Sequence, residues 1–296
     1  MSKFESSDHS SIPLGVLAIL AAGASFGLMN IGAKVVGKAM SPMAAVLVRS
    51  AATFVIMLPV VIGSRTSIIG AQPSILFFRG LIGSLALVCS FFSLKYLPAA
   101  DATLLNQTSA LFVMVLAPLC LGERVTRGMV LASLVGFLGV LLVVKPWADF
   151  FRAPAFIGLL GGFLAAIVML ILRSARSLYP PRVIVLHFAF WGVLLASAGG
   201  GINDLTIPSS EIFPWILVLG LFGTSGQILM TTAYHYAPAS IVAPLSLMGV
   251  VFAGVFEWLL YGVVPDWLSI FGGVLILTGV GAVPYLGHKA APQGKG

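Results

Sequence analysis

"YLPAADATLLNQTSALFVMVLAPLCLGERV" occupies Tyr96–Val125, and "YAPASIVAPLSLMGVVFAGVFEWLLYGVV" occupies Tyr236–Val264. Laid over one another, the two stretches keep a single offset of about 140 residues, without a gap, across about 45 positions. Tyr96, Pro98, Ala99, Leu105, Phe112 and Gly122 fall on Tyr236, Pro238, Ala239, Leu245, Phe252 and Gly262. The register runs on to Gly139 on Gly279 and Val140 on Val280. Apolar residues match easily by chance, whereas aligned Tyr, Pro and Gly do not. The chain is an internal duplication. In each copy a proline opens an apolar run, and proline is tolerated at the first turn of a helix because its missing N–H is not needed there.

These runs are about twenty residues long, enough to cross hydrocarbon as a helix. Of the 296 residues, 59% are hydrophobic and only 8% charged, where a soluble domain carries about 25% charged residues. The mean hydropathy is +1.09. Such a chain uses lipid as its solvent and must satisfy its backbone hydrogen bonds internally, as helices or a closed barrel. Barrel strands alternate in polarity over about ten residues, and these runs do not. The expected fold is an all-α polytopic membrane protein. Breaks at Gly, Pro and charge clusters set ten spans. Those of the first copy are Leu14–Val36, Pro42–Ile62, Ser74–Leu97, Ala99–Leu121 and Arg127–Val144. Those of the second are Pro154–Leu172, Arg182–Gly199, Ile212–Tyr236, Ala239–Tyr261 and Trp267–Leu286. The domain plan is a first five-helix repeat over 14–146 and a second over 147–287, between cytoplasmic tails 1–13 and 288–296.

Five spans is an odd number, so the second copy enters the membrane from the opposite side. With the N-terminus inside, the cytoplasmic segments hold Lys3, Arg65, Arg124, Arg127, Arg173, Arg176, Arg182, Lys289 and Lys295. The external ones hold Lys34, Lys38, Lys95, Lys145 and Arg152. This agrees with the excess of basic residues in cytoplasmic loops. It also accounts for the net charge of +7 without a nucleic-acid partner. Cys89 and Cys120 lie inside apolar runs, so neither a disulfide nor a metal site is expected. "MSKFESSDHSS" is not followed by a cleavage signature, so no signal peptide is expected. The tail "APQGKG" is expected to be disordered.

An inverted duplication of helical bundles is a recurring plan among secondary transporters, which place the substrate between the halves near the midplane. At this level the residues resemble a known family, the EamA-type drug/metabolite transporters. "FGLMNIGAK" (Phe26–Lys34) is similar to that family's first helix, with Phe26 where Trp is common. Tyr96–Val125 is similar to its fourth, ending in Gly-Glu-Arg, with Ala110 where Pro is frequent. "YGVVPDW" resembles the end of the ninth, with Val263 where Glu is usual. The resemblance covers about residues 14–286 and implies ten helices, termini inside, a central cavity and alternating access. It implies no particular substrate.

Ionisable side chains inside lipid are costly, so each is a functional candidate. Glu257 lies within the ninth span, on one helical face with Ser246, Val250 and Ala253. It is a candidate for binding a cationic group or coupling protons, or else a structural partner of an arginine. Asn106, the repeat mate of Ser246, and its neighbour Gln107 belong where the halves meet, as ligand contacts or as interhelical bonds. Thr224, Gln227, Thr231 and His235 make a polar stripe along the eighth span, which needs a pathway or a partner helix beside it. His187 and Trp191, one turn apart, are candidates for stacking a planar substrate or for an interfacial anchor. Phe26 and Asn30 are candidate lining residues of the first span, and Lys34 a snorkelling cation. Arg49 and Arg79, which match arginines of the family, read as structural. Asp101 and Glu123 read as helix-end caps.

No catalytic, phosphate-binding or metal-ligating motif is present. The expectation is therefore a secondary transporter without a cofactor, in a bacterial plasma membrane. It would export an amino acid or related small polar metabolite through a cavity of spans one, three, four, six, eight and nine. The alternatives are uptake or exchange of an adenosyl-type metabolite such as S-adenosylmethionine, a membrane-embedded enzyme, and a passive channel. The oligomeric state is open, a monomer included.

Overall fold

A computed structural model describes residues 12–70, 72–97, 99–145, 153–205 and 209–290. Residues 1–11 and 291–296 of the two tails, and the boundary between the copies at 146–147, lie outside them. The first copy forms α1 (Ile12–Ala39), α2 (Pro42–Gly63), α3 (Pro73–Tyr96), α4 (Ala99–Leu121) and α5 (Arg127–Val144). The second forms α6 (Ala153–Ala175), α7 (Pro181–Ala198), α8 (Phe213–Tyr236), α9 (Ala239–Leu245), α10 (Met248–Tyr261) and α11 (Trp267–Ala290). Together they make 10 spans, α9 and α10 sharing one. Among the described residues there is no strand.

The boundaries follow local chemistry. Ser41 and Thr126 cap α2 and α5, their hydroxyls accepting from Ala44 N and Met129 N at 3.2 Å each. Satisfying a free N–H of the first turn in this way stabilises a helix start by about 1 kcal/mol. Gly122 and Gly262, repeat mates, end the fourth and ninth spans with φ of 66° and 67°, the left-handed region that glycine enters without steric cost. The apolar outer surface, including Leu119 and Trp267, is exposed, as helices that face lipid require.

The helix contacts respect the duplication. α1 packs on α8, and its mate α6 packs on α3, the mate of α8. α4 lies against α6 as α10 lies against α1, while α2 pairs with its mate α7 and α5 with its mate α11. Exchanging the repeats thus maps the bundle onto itself. At the α5–α11 seam, Gly139 and its mate Gly279 let the backbones touch. A Cβ on Gly139 would sit 2.5 Å from Gly272 O, and one on Gly279 2.6 Å from Gly136 N.

The polar links close each face separately. On one, the arginine face, Arg182 donates to Thr66 Oγ1 and the Tyr179 hydroxyl to Ile69 O. On the other, the lysine face, Lys95 Nζ donates to Gly37 O and Lys145 pairs with Asp266.

The ninth span departs from the single helix expected over Ala239–Tyr261. It breaks at Ser246–Leu247, where the turn tightens and Leu247 N donates to Pro244 O, Gly249 N to Ser246 O. Pro244 has no N–H to give to the helix ladder, and Ser246 Oγ donates back to Ala243 O. Leu104 stands at the mate of Pro244, and α4 runs unbroken.

Candidate functional site

Between the two copies lies a hollow of about 230 Å³. Among the candidate residues, Phe26, Asn30, Asn106, Gln107, Gln227 and Ser246 line it. They come from α1, α4, α8 and the broken ninth span, so both copies contribute. Gln107 Nε2 reaches across the repeat boundary and donates to Ser246 O at 3.3 Å. The carbonyl it meets belongs to the helix break, one of the places where non-helical backbone survives at membrane depth because it lines a cavity. Asn106 Nδ2 donates to Ser90 Oγ at 2.7 Å, and both residues line the same hollow.

Spans two and seven, beyond the six expected, also contribute to the lining. They supply Arg49 from α2 and Phe188 from α7, facing Arg79 from α3. The two guanidiniums stack on opposite sides of one problem: both charges must be held in a water-poor centre. Their Cζ atoms lie 5.4 Å (Arg49) and 4.9 Å (Arg79) from the Phe188 ring centroid, within the range of a cation–π attraction. Ser84 Oγ donates to Phe188 O at 3.2 Å and fixes α7 against α3 behind the ring. Two repeat-mate glycines make room for the guanidiniums. A Cβ on Gly83 would meet Arg79 Nη1 at 2.3 Å, and one on Gly223 would meet Arg49 Nε at 3.0 Å.

Other candidates lie elsewhere. Glu257 does not line the hollow: its carboxylate faces Lys34 Nζ at 3.7 Å, with side chains 44% and 55% exposed. The polar stripe of α8 divides. Thr224 is bonded to Thr53 Oγ1 at 2.8 Å and Thr231 to Gln227 O, both buried in helix contacts. His235 lies toward the arginine face, where its carbonyl accepts from Arg173 Nη1. His187 Nδ1 bonds within its own helix to Val183 O, and Trp191 packs edge-on to Phe77 and over Gly80. Of this turn of α7, it is Phe188 that reaches the hollow.

From Gln227 and Met169 near the middle, the lining runs to Asn30, Leu94 and Thr103 toward the lysine face. Toward the arginine face a polar cluster shuts it. Glu123 accepts from Ala239 N and Ser240 N at 2.8 Å each and from Ser240 Oγ at 2.7 Å. Arg173 Nε stands 3.4 Å from the same carboxylate, and its Nη1 donates to Tyr234 O. Glu123 thus caps the start of the ninth span, as expected of a helix-end acid, and does so between the repeats.

Ten spans in two exchanged copies around a shared polar hollow define a membrane transporter of small metabolites. The chain belongs to the EamA-like transporter family, whose model matches residues 13–145 and again 152–283. The pseudopaline exporter CntI of Pseudomonas aeruginosa is 32% identical over 267 residues, spanning 89% of this chain and 93% of that protein. An uncharacterized transporter of Helicobacter pylori is 30% identical over 280 residues, spanning 91% and 94%. A crystal structure with 14% identity superposes with a TM-score of 0.81 over 95% of this chain and 99% of the other, which shows a shared fold. The family consists of transporters, and this protein is one of them, not an enzyme.

Proposed function

We propose that the protein is a secondary active transporter that exports a small polar organic metabolite, an amino acid or related compound, by alternating access through the central hollow. The observation that carries this reading is the asymmetry of closure. The hollow is lined by both repeats, extends toward the lysine face, and is shut toward the arginine face by the Glu123–Arg173 cluster. Two exchanged halves offer a second arrangement in which the closures trade places. The exporter among the relatives supports the direction, and the arginine-rich face supports a cytoplasmic placement of both termini in a bacterial inner membrane. The repeats would divide at 146–147. An adenosyl sulfonium is a cation, and a lining with two guanidiniums and, among the described residues, no carboxylate opposes it.

Counterflow in liposomes tests this. Vesicles loaded with one unlabelled compound at a time, from a panel of amino acids and their derivatives, should accumulate external labelled compound transiently. Ionic conductance without counterflow would instead make the protein a channel. Cysteines placed at Lys95 and Arg124 should react with impermeant maleimide from opposite sides, and labelling from one side would remove the inverted arrangement on which the cycle depends.

A further inference from the structure

The charge of the hollow is one-sided. Arg49 and Arg79 are 2% and 1% exposed, and guanidinium keeps its proton in proteins. Arg49 Nη1, Arg79 Nε and Arg79 Nη1 find no hydrogen-bond partner. What Arg49 does have is weak: Nε at 3.3 Å from Met29 Sδ, and Nη2 donating to Gly223 O at 3.5 Å. Among the described residues, no Asp or Glu lines the hollow. Glu123 is engaged at the arginine face, Glu257 faces Lys34, and Asp101 in the first turn of α4 is not part of the lining. Buried charges are ordinarily paired, because an uncompensated one is among the costliest groups a fold can hold. Arg173 shows what a structural arginine looks like in this chain, with a carboxylate beside it and two carbonyls accepting from it. Arg49 has only the one long carbonyl contact and no carboxylate, Arg79 Nε and Nη1 have no partner, and both residues share a cavity wall with further unpaired groups, Gln227 Nε2 and Ser109 Oγ.

We propose that Arg49 and Arg79 form a carboxylate-binding subsite, and that the transported compound is a net-anionic organic acid with at least two carboxylate groups. One carboxylate leaves one guanidinium uncompensated, whereas two neutralise the pair. A guanidinium presents N–H groups in a planar fork that matches a carboxylate. The Phe188 ring holds both forks against the wall, and Gln227 Nε2 offers a further donor to the bound acid. The inference rests on the transporter reading only in taking the hollow as the substrate site.

The test uses the full-length protein in detergent at low ionic strength, with acetate, succinate, citrate, uncharged succinamide and inorganic phosphate as probes in thermal-shift and equilibrium-binding measurements. Succinate or citrate should raise the melting temperature, with acetate weaker and succinamide without effect. Arg79→Gln should weaken dicarboxylate binding at least about tenfold, the loss expected of a charge-assisted bond. Arg79→Lys should recover part of it, and Lys34→Gln should show none of the loss. Equal binding of succinamide, tighter binding of phosphate than of any carboxylate, or full affinity in Arg79→Gln would each overturn the assignment. Should Arg79→Gln fail to fold, the wild-type probe series and Arg49→Lys decide the matter in the same terms. Counterflow of neutral or cationic compounds without any dicarboxylate binding would remove this subsite and leave the transporter. Dicarboxylate binding with no counterflow of any compound would do the reverse.

Discussion

Replacing Glu123 by Gln should release the closure at the arginine face. The carboxylate accepts from two backbone N–H groups and one hydroxyl and pairs with Arg173. Both side chains are nearly enclosed, at 12% and 8% exposed, so water screens the pair little. A glutamine keeps one carbonyl oxygen, which can serve one of the two N–H groups, but its amide turns a donor toward the other. Hydrogen bonds to a charged group contribute about 1.5–3 kcal/mol each, and removing one partner of a buried ion pair costs about 3–5 kcal/mol. Taking about 3 kcal/mol as the combined floor, the balance between the two arrangements moves by roughly 150-fold. In a background with Cys89 and Cys120 replaced, Thr231→Cys reports the arginine-face pathway and Asn30→Cys the lysine-face one. Glu123→Gln should speed maleimide labelling at position 231 from the arginine face and slow it at position 30 from the other. Arg173→Gln should have a similar effect, and the double variant should fall short of additivity because both remove one interaction. If Glu123→Gln leaves both labelling rates unchanged while the protein remains folded, the cluster is not a gate and the reasoning fails.

Gly139→Ala should destabilise the bundle by about 1–3 kcal/mol or more, since its Cβ would press on the backbone of α11 at Gly272 and Ile276. Thermal melting in detergent checks this, with Gly254→Ala, where nothing stands within 4 Å, as the neutral comparison. Glu257→Gln should leave transport and its pH profile unchanged within about twofold, because the exposed pair with Lys34 is of the kind that contributes about 0–1 kcal/mol. A lost pH dependence would restore Glu257 as the proton-coupling group. At the lysine-face loop, the hydrogen bond from Lys145, followed by bonds from Ser269, holds the Asp266 carboxyl down to about 2 from 3.8. A depressed acid contributes stability above its unfolded value and loses it as pH falls through the folded one. The difference in melting temperature between wild type and Asp266→Asn should therefore be constant above 3.8 and disappear by about 2. A difference that persists below that pH would remove the Lys145 link as its origin.

The spans and the duplication were legible because each rests on a local or repeated signal: apolar run length, a proline at a helix start, matched glycines; that the matched glycines Gly139 and Gly279 mark a seam between α5 and α11 was not read. The helix break in the ninth span was not deduced, although Pro244 opposite Leu104 is its cause. Periodicity alone cannot say whether a proline bends a helix or interrupts it. Asn30, Asn106, Gln107, Gln227 and Ser246 were singled out by polarity and repeat matching, and Phe26 by the family resemblance of the first helix. Side chains on the same helices went elsewhere, because which face of a buried helix meets a cavity depends on tertiary packing. Arg49 and Arg79 met the same test that singled out Glu257, an ionisable group inside an apolar run. What distinguishes them is the lack of a carboxylate partner on other spans, which no single segment reveals. Phe188 carried no signal at all beyond its place one residue after His187.

The two copies have diverged where the mechanism needs them unequal. Glu123 has Val263 as its mate, so the buried capping cluster of the arginine face has no counterpart built from the same position at the lysine face. There the closing links are Lys95 to Gly37 and Lys145 to Asp266, both solvent-exposed, and exposed pairs are weak. Under the proposed cycle, these links favour the arrangement with the arginine face shut. The cationic pair is unequal too: Arg49 and Arg79 have Ala189 and Leu219 as mates, so both charges belong to the first repeat while Phe188 and Gln227 come from the second. On the proposed cycle, an anion bound at Arg49 and Arg79 would stay with the first repeat while the second repeat changed what it offered to the rest of the compound. By cancelling the repulsion between two guanidiniums, it would also lower the barrier between the two proposed arrangements when the site is loaded, which is what distinguishes coupled transport from a leak.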